Sequence, residues 1–91
     1  MAVRVPDAAA LAVIRAGASR VATVSDDAVR TAMRWIFTDT HNVAEGAGAA
    51  AVAAVAADRA ALRGKRVAAI LSGGNVDAAV FAEVLGVGTP P

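Results

Sequence analysis

Few side chains in this sequence are equipped to act on a ligand, and the ones that stand out fall in two short stretches. The first is Ser72-Gly73-Gly74-Asn75, set between the apolar run Val67-Ala68-Ala69-Ile70-Leu71 and Val76-Asp77. Five apolar residues after the charged pair Lys65-Arg66 predict a short buried strand. Two glycines then permit a sharp turn and a close approach of a ligand to the backbone. Asn75 or Asp77 suits the cap of a helix beginning near Ala78. Strand, glycine turn and helix N-terminus form the ligand-facing edge of an open α/β sheet, which aims the Ser72 hydroxyl at whatever is bound. On spacing alone, an ordinary strand-to-helix turn accounts for these residues equally well. The second stretch is Glu45-Gly46-Ala47-Gly48-Ala49. Glycines in a first helical turn suit an approaching anion or ring, and Glu45 also complements the helix dipole.

Other chemistries are poorly supported. His41 follows Thr38-Asp39-Thr40 with no His, Cys or carboxylate at ligand spacing, which marks it as an exposed loop residue. The chain has no cysteine, hence no disulfide and no thiolate metal site. A net charge of +1 argues against nucleic-acid binding and against electrostatic recruitment to a membrane. The longest apolar run, in the alanine-rich segment, is about half a membrane span. Met1-Ala2-Val3-Arg4-Val5-Pro6 lacks signal-peptide architecture, so a soluble cytoplasmic chain is the default expectation.

The elements that must position Ser72 and Glu45 follow from pattern. Asp7 precedes Ala8 to Arg15, a cap before strong helix formers, with Leu11, Ile14 and Ala18 on one face and Gly17 at the end. Arg20-Val21-Ala22-Thr23-Val24 reads as a modest strand. Ser25-Asp26-Asp27 opens a second helix whose apolar stripe is Val29, Met33, Ile36 and Phe37. Arg30 and Arg34 are expected on its solvated face, Arg30 within reach of Asp26. Glu45 to Asp58 reads as a buried helix of small side chains, since alanine and valine without Ser, Pro or charge do not suit disorder. Arg59, Arg63, Lys65 and Arg66 would solvate its C-terminal end. A last helix from Ala78 to Leu85 stops at Gly86, and Thr89-Pro90-Pro91 forms a tail.

The expected architecture is therefore α/β, ordered helix–strand–helix–helix–strand–helix. At 91 residues it is one domain at most, burying only roughly 60–65% of its unfolded surface. Its apolar content is high but rich in alanine, with one Trp, two Phe and no Tyr, so stability must come from close backbone packing. Two strands make a poor sheet, and Val67–Leu71 wants neighbours on both edges. The expectation is a partial three-layer open-sheet domain, incomplete without upstream residues.

Taken together, Val43-Ala44-Glu45-Gly46-Ala47-Gly48-Ala49 and Ile70-Leu71-Ser72-Gly73-Gly74-Asn75-Val76-Asp77 closely resemble the C-terminal portion of threonine dehydratases and serine dehydratase-like enzymes. These are pyridoxal-phosphate enzymes of the tryptophan-synthase-β fold type. The likeness runs from Met1 to about Leu85 and includes Val24-Ser25-Asp26-Asp27-Ala28-Val29 and Ala32-Met33. Ser-Gly-Gly-Asn alone would be a weak signal. The Glu-Gly-Ala-Gly-Ala segment at a matching interval upstream makes it strong.

The resemblance implies pyridoxal-phosphate-dependent elimination of water from a hydroxy-amino acid, giving a 2-oxo acid and ammonia. It places Ser72 at the pyridine nitrogen, Gly73 and Gly74 along the ring edge, Glu45 as a carboxylate near the cofactor, and Asn75 as a brace for the turn. A serine hydroxyl is not acidic enough to keep that nitrogen protonated, which favours prompt loss of the β-hydroxyl over prolonged charge storage. The family's Schiff-base lysine and glycine-rich phosphate loop have no counterpart here, since Lys65 precedes a strand in no such motif. No catalytic residue is therefore assigned within the chain. The expectation is residues 1–91 as the C-terminal segment of a catalytic domain, without a regulatory domain and inactive alone. A truncated gene, a misplaced start or half of a split enzyme would each produce it. Its partners would be the upstream part and the hydroxy-amino acid, and the uncovered strand edge also allows a homo-oligomer. The alternative is a free-standing small α/β module that binds an anion or partner through Gly73-Gly74 and the alanine-rich helix.

Overall fold

Local capping signals decide where helices begin. The computed structural model describes residues 5–86, and within them four helices follow one another: α1 (Ala8–Gly17), α2 (Asp26–Thr40), α3 (Gly46–Ala57) and α4 (Ala78–Gly86). The Asp7 carboxylate accepts the Ala10 amide at 3.1 Å, and the Ser25 hydroxyl accepts the Ala28 amide at 3.1 Å. Each satisfies a donor that the first helical turn leaves without an intrahelical partner. Asp26 and Asp27 add negative charge at the positive end of α2. That helix ends at His41, an exposed left-handed residue (φ 59°) whose amide donates to the Phe37 carbonyl. Residues 1–4 and the expected tail Thr89-Pro90-Pro91 lie outside the described part.

The hydrophobic stripe of α2 builds the core. Val29, Met33 and Ile36 are buried, joined by Ala32 on the same helix, Ala44, Ala49 and Ala53 from the α3 segment, and Val84 from α4. Alanine at 49 and 53 lets α3 lie close against α2, as a core without bulky side chains requires. Phe37 is half-buried and meets Phe81 edge-to-face, with ring centroids 5.4 Å apart and planes at 79°. Helix α2 is thus the common platform: both α3 and α4 pack on it, and neither packs on the other among the described residues.

The α/β open-sheet expectation is overturned. The described residues contain no strand, and the order helix–strand–helix–helix–strand–helix reduces to its four helices. Segments 20–24 and 67–71 run as unpaired backbone, and Val21, Ile70 and Leu71 stand exposed. An apolar run predisposes a segment to extend, but a strand exists only where a second backbone lies alongside to complete the ladder. These two segments do not supply one another. The first is instead tied to the end of α3 by an exposed ion pair between Arg20 and Asp58 at 2.5 Å. Helix α1, with Ile14 exposed, contributes nothing to the core.

The arginine assignments on α2 also change. Arg30 pairs with Asp27 at 2.9 Å, one residue nearer than the expected Asp26. Arg34 is buried, because α4 folds back over its side of the helix. By contrast, Arg59, Arg63, Lys65 and Arg66 are exposed, as their position beyond α3 suggests. The chain there leaves α3 through a run of turns over residues 58–64 that closes at Gly64, with φ at +78°.

Candidate functional site

The turn that carries Ser72 lies against the N-terminus of α3, so the two singled-out stretches meet. The Glu45 amide donates to the Gly73 carbonyl at 3.1 Å, and the Gly74 carbonyl accepts the Val76 amide at 3.1 Å. Asp77 then leads into α4, its carbonyl taking the Phe81 amide at 2.9 Å.

Glycine is required here for a specific reason. A Cβ on Gly48 would collide with the Gly73 carbonyl oxygen and stand 3.1 Å from the Gly73 nitrogen. A Cβ on Gly73 would run into the Glu45 carboxylate, and one on Gly74 would sit 2.5 Å from the Val43 carbonyl oxygen. The closest neighbours of all three glycines are therefore atoms of this chain. Gly48 and Gly73 meet at backbone distance, which a Cβ on Gly48 would prevent.

The polar groups of this junction are accessible. Ser72 and Asn75 are exposed, and Glu45 is half-buried. Glu45 occupies the N-cap position of α3 without making a side-chain cap, so its carboxylate remains available beside Gly73. The exposed Ser72 and the half-buried Glu45 thus lie on the two stretches that the Glu45–Gly73 hydrogen bond joins. Of the residues singled out in the sequence, Gly73 and Glu45 are in direct contact, Gly74 lies against Val43, and Ser72 and Asn75 flank the two glycines as exposed residues.

Two surface clefts lie elsewhere. One of about 560 Å³ separates α2 from α4 and is lined by Asp27, Arg30, Thr31, Arg34, Val80 and Glu83, with Val84 at its floor. A shallower one of about 350 Å³ runs between Trp35 and the C-terminal half of α3. Neither includes Ser72 or Glu45. No group of His, Cys, Asp or Glu suited to a metal ion occurs among the described residues, and no described helix is long and apolar enough to cross a membrane. Two features escaped the sequence reading: Gly48 as the seat of the turn, and Arg34 as a buried tie to α4. Gly48 lies with Gly46 in the first turn of an alanine-rich helix, which is the signal for the first, and periodicity alone points the wrong way for the second.

Comparison with known proteins places the chain in a family. The family model for pyridoxal-phosphate-dependent enzymes matches residues 1–73. A phenylserine dehydratase from Ralstonia pickettii is 45% identical over 75 residues, covering 81% of this chain and 23% of that protein. An L-threonine ammonia-lyase from Thermotoga maritima is 30% identical over 88 residues, covering 97% of this chain and 22% of that protein. The chain thus spans less than a quarter of the length of these curated relatives. No solved structure matches it significantly. With four-fifths of its length inside the family model and dehydratase-type enzymes among its relatives, the chain belongs to the pyridoxal-phosphate-dependent enzymes, a family whose cofactor is pyridoxal phosphate.

Proposed function

We propose that this chain is the C-terminal part of the catalytic domain of a dehydratase that removes water from a hydroxy-amino acid, releasing a 2-oxo acid and ammonia. The observation that carries the reading is the junction itself: the Ser72 turn seated on the N-terminus of α3 by the Glu45–Gly73 hydrogen bond. The two relatives add the reaction class, one being named for phenylserine and the other for threonine.

The residues present fit the cofactor. Ser72 offers an exposed hydroxyl at the head of a turn, and the glycines after it let that turn pack closely on Glu45 and Val43. Bound pyridoxal phosphate supplies an electron-withdrawing ring that weakens bonds at the α-carbon of an amino acid. Ser72 would hold the ring nitrogen through a hydrogen bond while keeping its own proton, because an alcohol is far too weak an acid to give it up. A serine at that position would leave the nitrogen without a strong proton donor, which would favour loss of the β-hydroxyl over longer storage of charge. Glu45, beside Gly73 and unused as a cap, contributes negative charge at the edge of the site. Gly48 and Gly73 act through position alone.

Elimination also needs a base for the α-proton and an anchor for the cofactor phosphate, and the resemblance assigns both to the upstream part of the domain. On this reading the chain does not turn over substrate alone. The test compares the purified chain with a fusion carrying the upstream three-quarters of a dehydratase relative. Each is mixed with pyridoxal phosphate and threonine, serine or phenylserine. Formation of 2-oxo acid by the fusion and none by the chain is the expected result. A fusion that folds, takes up cofactor and forms no 2-oxo acid from any of the three overturns the dehydratase assignment. Turnover by the chain alone overturns its dependence on an upstream part.

A further inference from the structure

We infer that Arg34 is a positioning residue: by holding the C-terminal end of α4 against α2, it sets where the Ser72 turn lies relative to Glu45. The inference deepens the reading above and rests on it for its catalytic meaning, while the geometry belongs to this chain alone.

Arg34 is only 6% exposed. Its Nη1 donates to the Val84 carbonyl at 3.3 Å and its Nη2 to the Thr31 hydroxyl at 3.0 Å. Its Nε is buried without a partner, and the ion pairs among the described residues do not include it. A guanidinium held by two neutral acceptors is a poor device for stability, since burial of an unpaired charge is unfavourable. It is a good device for direction. Helix α4 touches α2 and no other described helix. Phe81 against Phe37 and the buried Val84 fix its distance from α2, but apolar contacts leave its rotation and slide weakly defined. The bond to a carbonyl in the last turn of α4 constrains both, and it sets positive charge at the negative end of the helix dipole.

The consequence travels along a rigid element. Helix α4 starts at Ala78, directly after the turn that carries Ser72. At its other side that turn is bonded to Glu45 and seated on Gly48, and α3 is itself packed on α2. The contacts close a ring: α2, Arg34, α4, the turn, α3 and back to α2. Released at Arg34, α4 can rotate and slide, and the strain falls on the single backbone bond between Gly73 and Glu45.

The test is amide hydrogen exchange on the full 91-residue chain, resolved to the Glu45 amide. Arg34→Met keeps the stem and removes every donor, Arg34→Lys keeps the charge without the fork, and Thr31→Val removes one acceptor while the guanidinium stays. We expect Glu45 exchange to accelerate by roughly tenfold or more in Arg34→Met and by less in the other two. The amides of Met33 and Ala53, inside α2 and α3, should hold their rates. Should Arg34→Met fail to fold, Thr31→Val decides on the same criterion. Unchanged Glu45 exchange, or acceleration shared equally by Met33 and Ala53, overturns the inference. No cofactor enters this measurement, so its outcome is independent of whether the dehydratase reading survives.

Discussion

The Gly73 carbonyl accepts the Glu45 amide at 3.1 Å, and the Cα of the same glycine faces the Glu45 carboxylate. One residue pair therefore joins the two stretches that carry the chemistry, by backbone on one side and by steric absence on the other. Helix α3 brings Gly48 beneath the same carbonyl, so the junction has no room for a methyl group at 48, whereas one at 73 would have to push the Glu45 carboxylate aside.

Those two glycines should respond differently to alanine. Gly48→Ala drives a Cβ into the Gly73 backbone, which cannot step aside cheaply, so a loss of about 1–3 kcal/mol is expected. Gly73→Ala meets the far end of the flexible Glu45 side chain, so it should cost less while displacing the carboxylate. Chemical denaturation of both variants measures the difference. A Gly48→Ala variant as stable as the parent would mean the turn is not seated on α3.

The two exposed polar ties near α2 should differ in worth. Ser25→Ala removes a helix cap and should destabilise by about 1 kcal/mol. Arg20→Ala removes an ion pair whose side chains are 66% and 36% exposed, and should cost between about 0 and 1 kcal/mol. Repeating both measurements in about 1 M salt should erase the Arg20 effect and leave the Ser25 effect. Equal salt sensitivity would contradict this assignment.

The apolar surface of segments 20–24 and 67–71 should drive self-association of the isolated chain. Val21 is 79% exposed and Ile70 is 75% exposed, both on unpaired backbone. Sedimentation across a concentration series should show species larger than a monomer. Ile70→Lys should shift that distribution toward the monomer. A chain that stays monomeric at all concentrations would show that this surface is not adhesive.

Ser72 should matter for turnover more than for cofactor affinity, provided the dehydratase reading holds. In the fusion with an upstream part, Ser72→Ala removes a neutral hydrogen bond, so affinity for pyridoxal phosphate should fall by only about 0.5–1.5 kcal/mol. The elimination rate should fall further, since charge builds on the ring as the transition state is approached. Ser72→Asp should favour a protonated ring and divert flux toward transamination or racemisation. Elimination rate and product partition read both effects. Parental values in both variants would reduce Ser72 to a turn residue.

The sequence by itself determined all four helices, because their signals are local. Asp7 and Ser25 cap within three residues, and the stripe of Val29, Met33 and Ile36 needs only the helical period to define a buried face. It also singled out Ser72, Gly73, Gly74 and Glu45, whose types and spacing carry the family likeness. What it read wrongly depended on a partner in space. Val67–Leu71 has the composition of a buried strand, yet a ladder requires a second backbone, and none pairs with it among the described residues. Arg34 has the periodicity of a solvated residue, yet α4 returns across it and takes its Nη1 on the Val84 carbonyl. Only the tertiary structure brings Gly73 onto Gly48 and Glu45, because the fit of two backbones at contact distance is a property of how α3 and α4 share one platform. Local pattern encodes which residues are offered, and packing on α2 decides which of them meet.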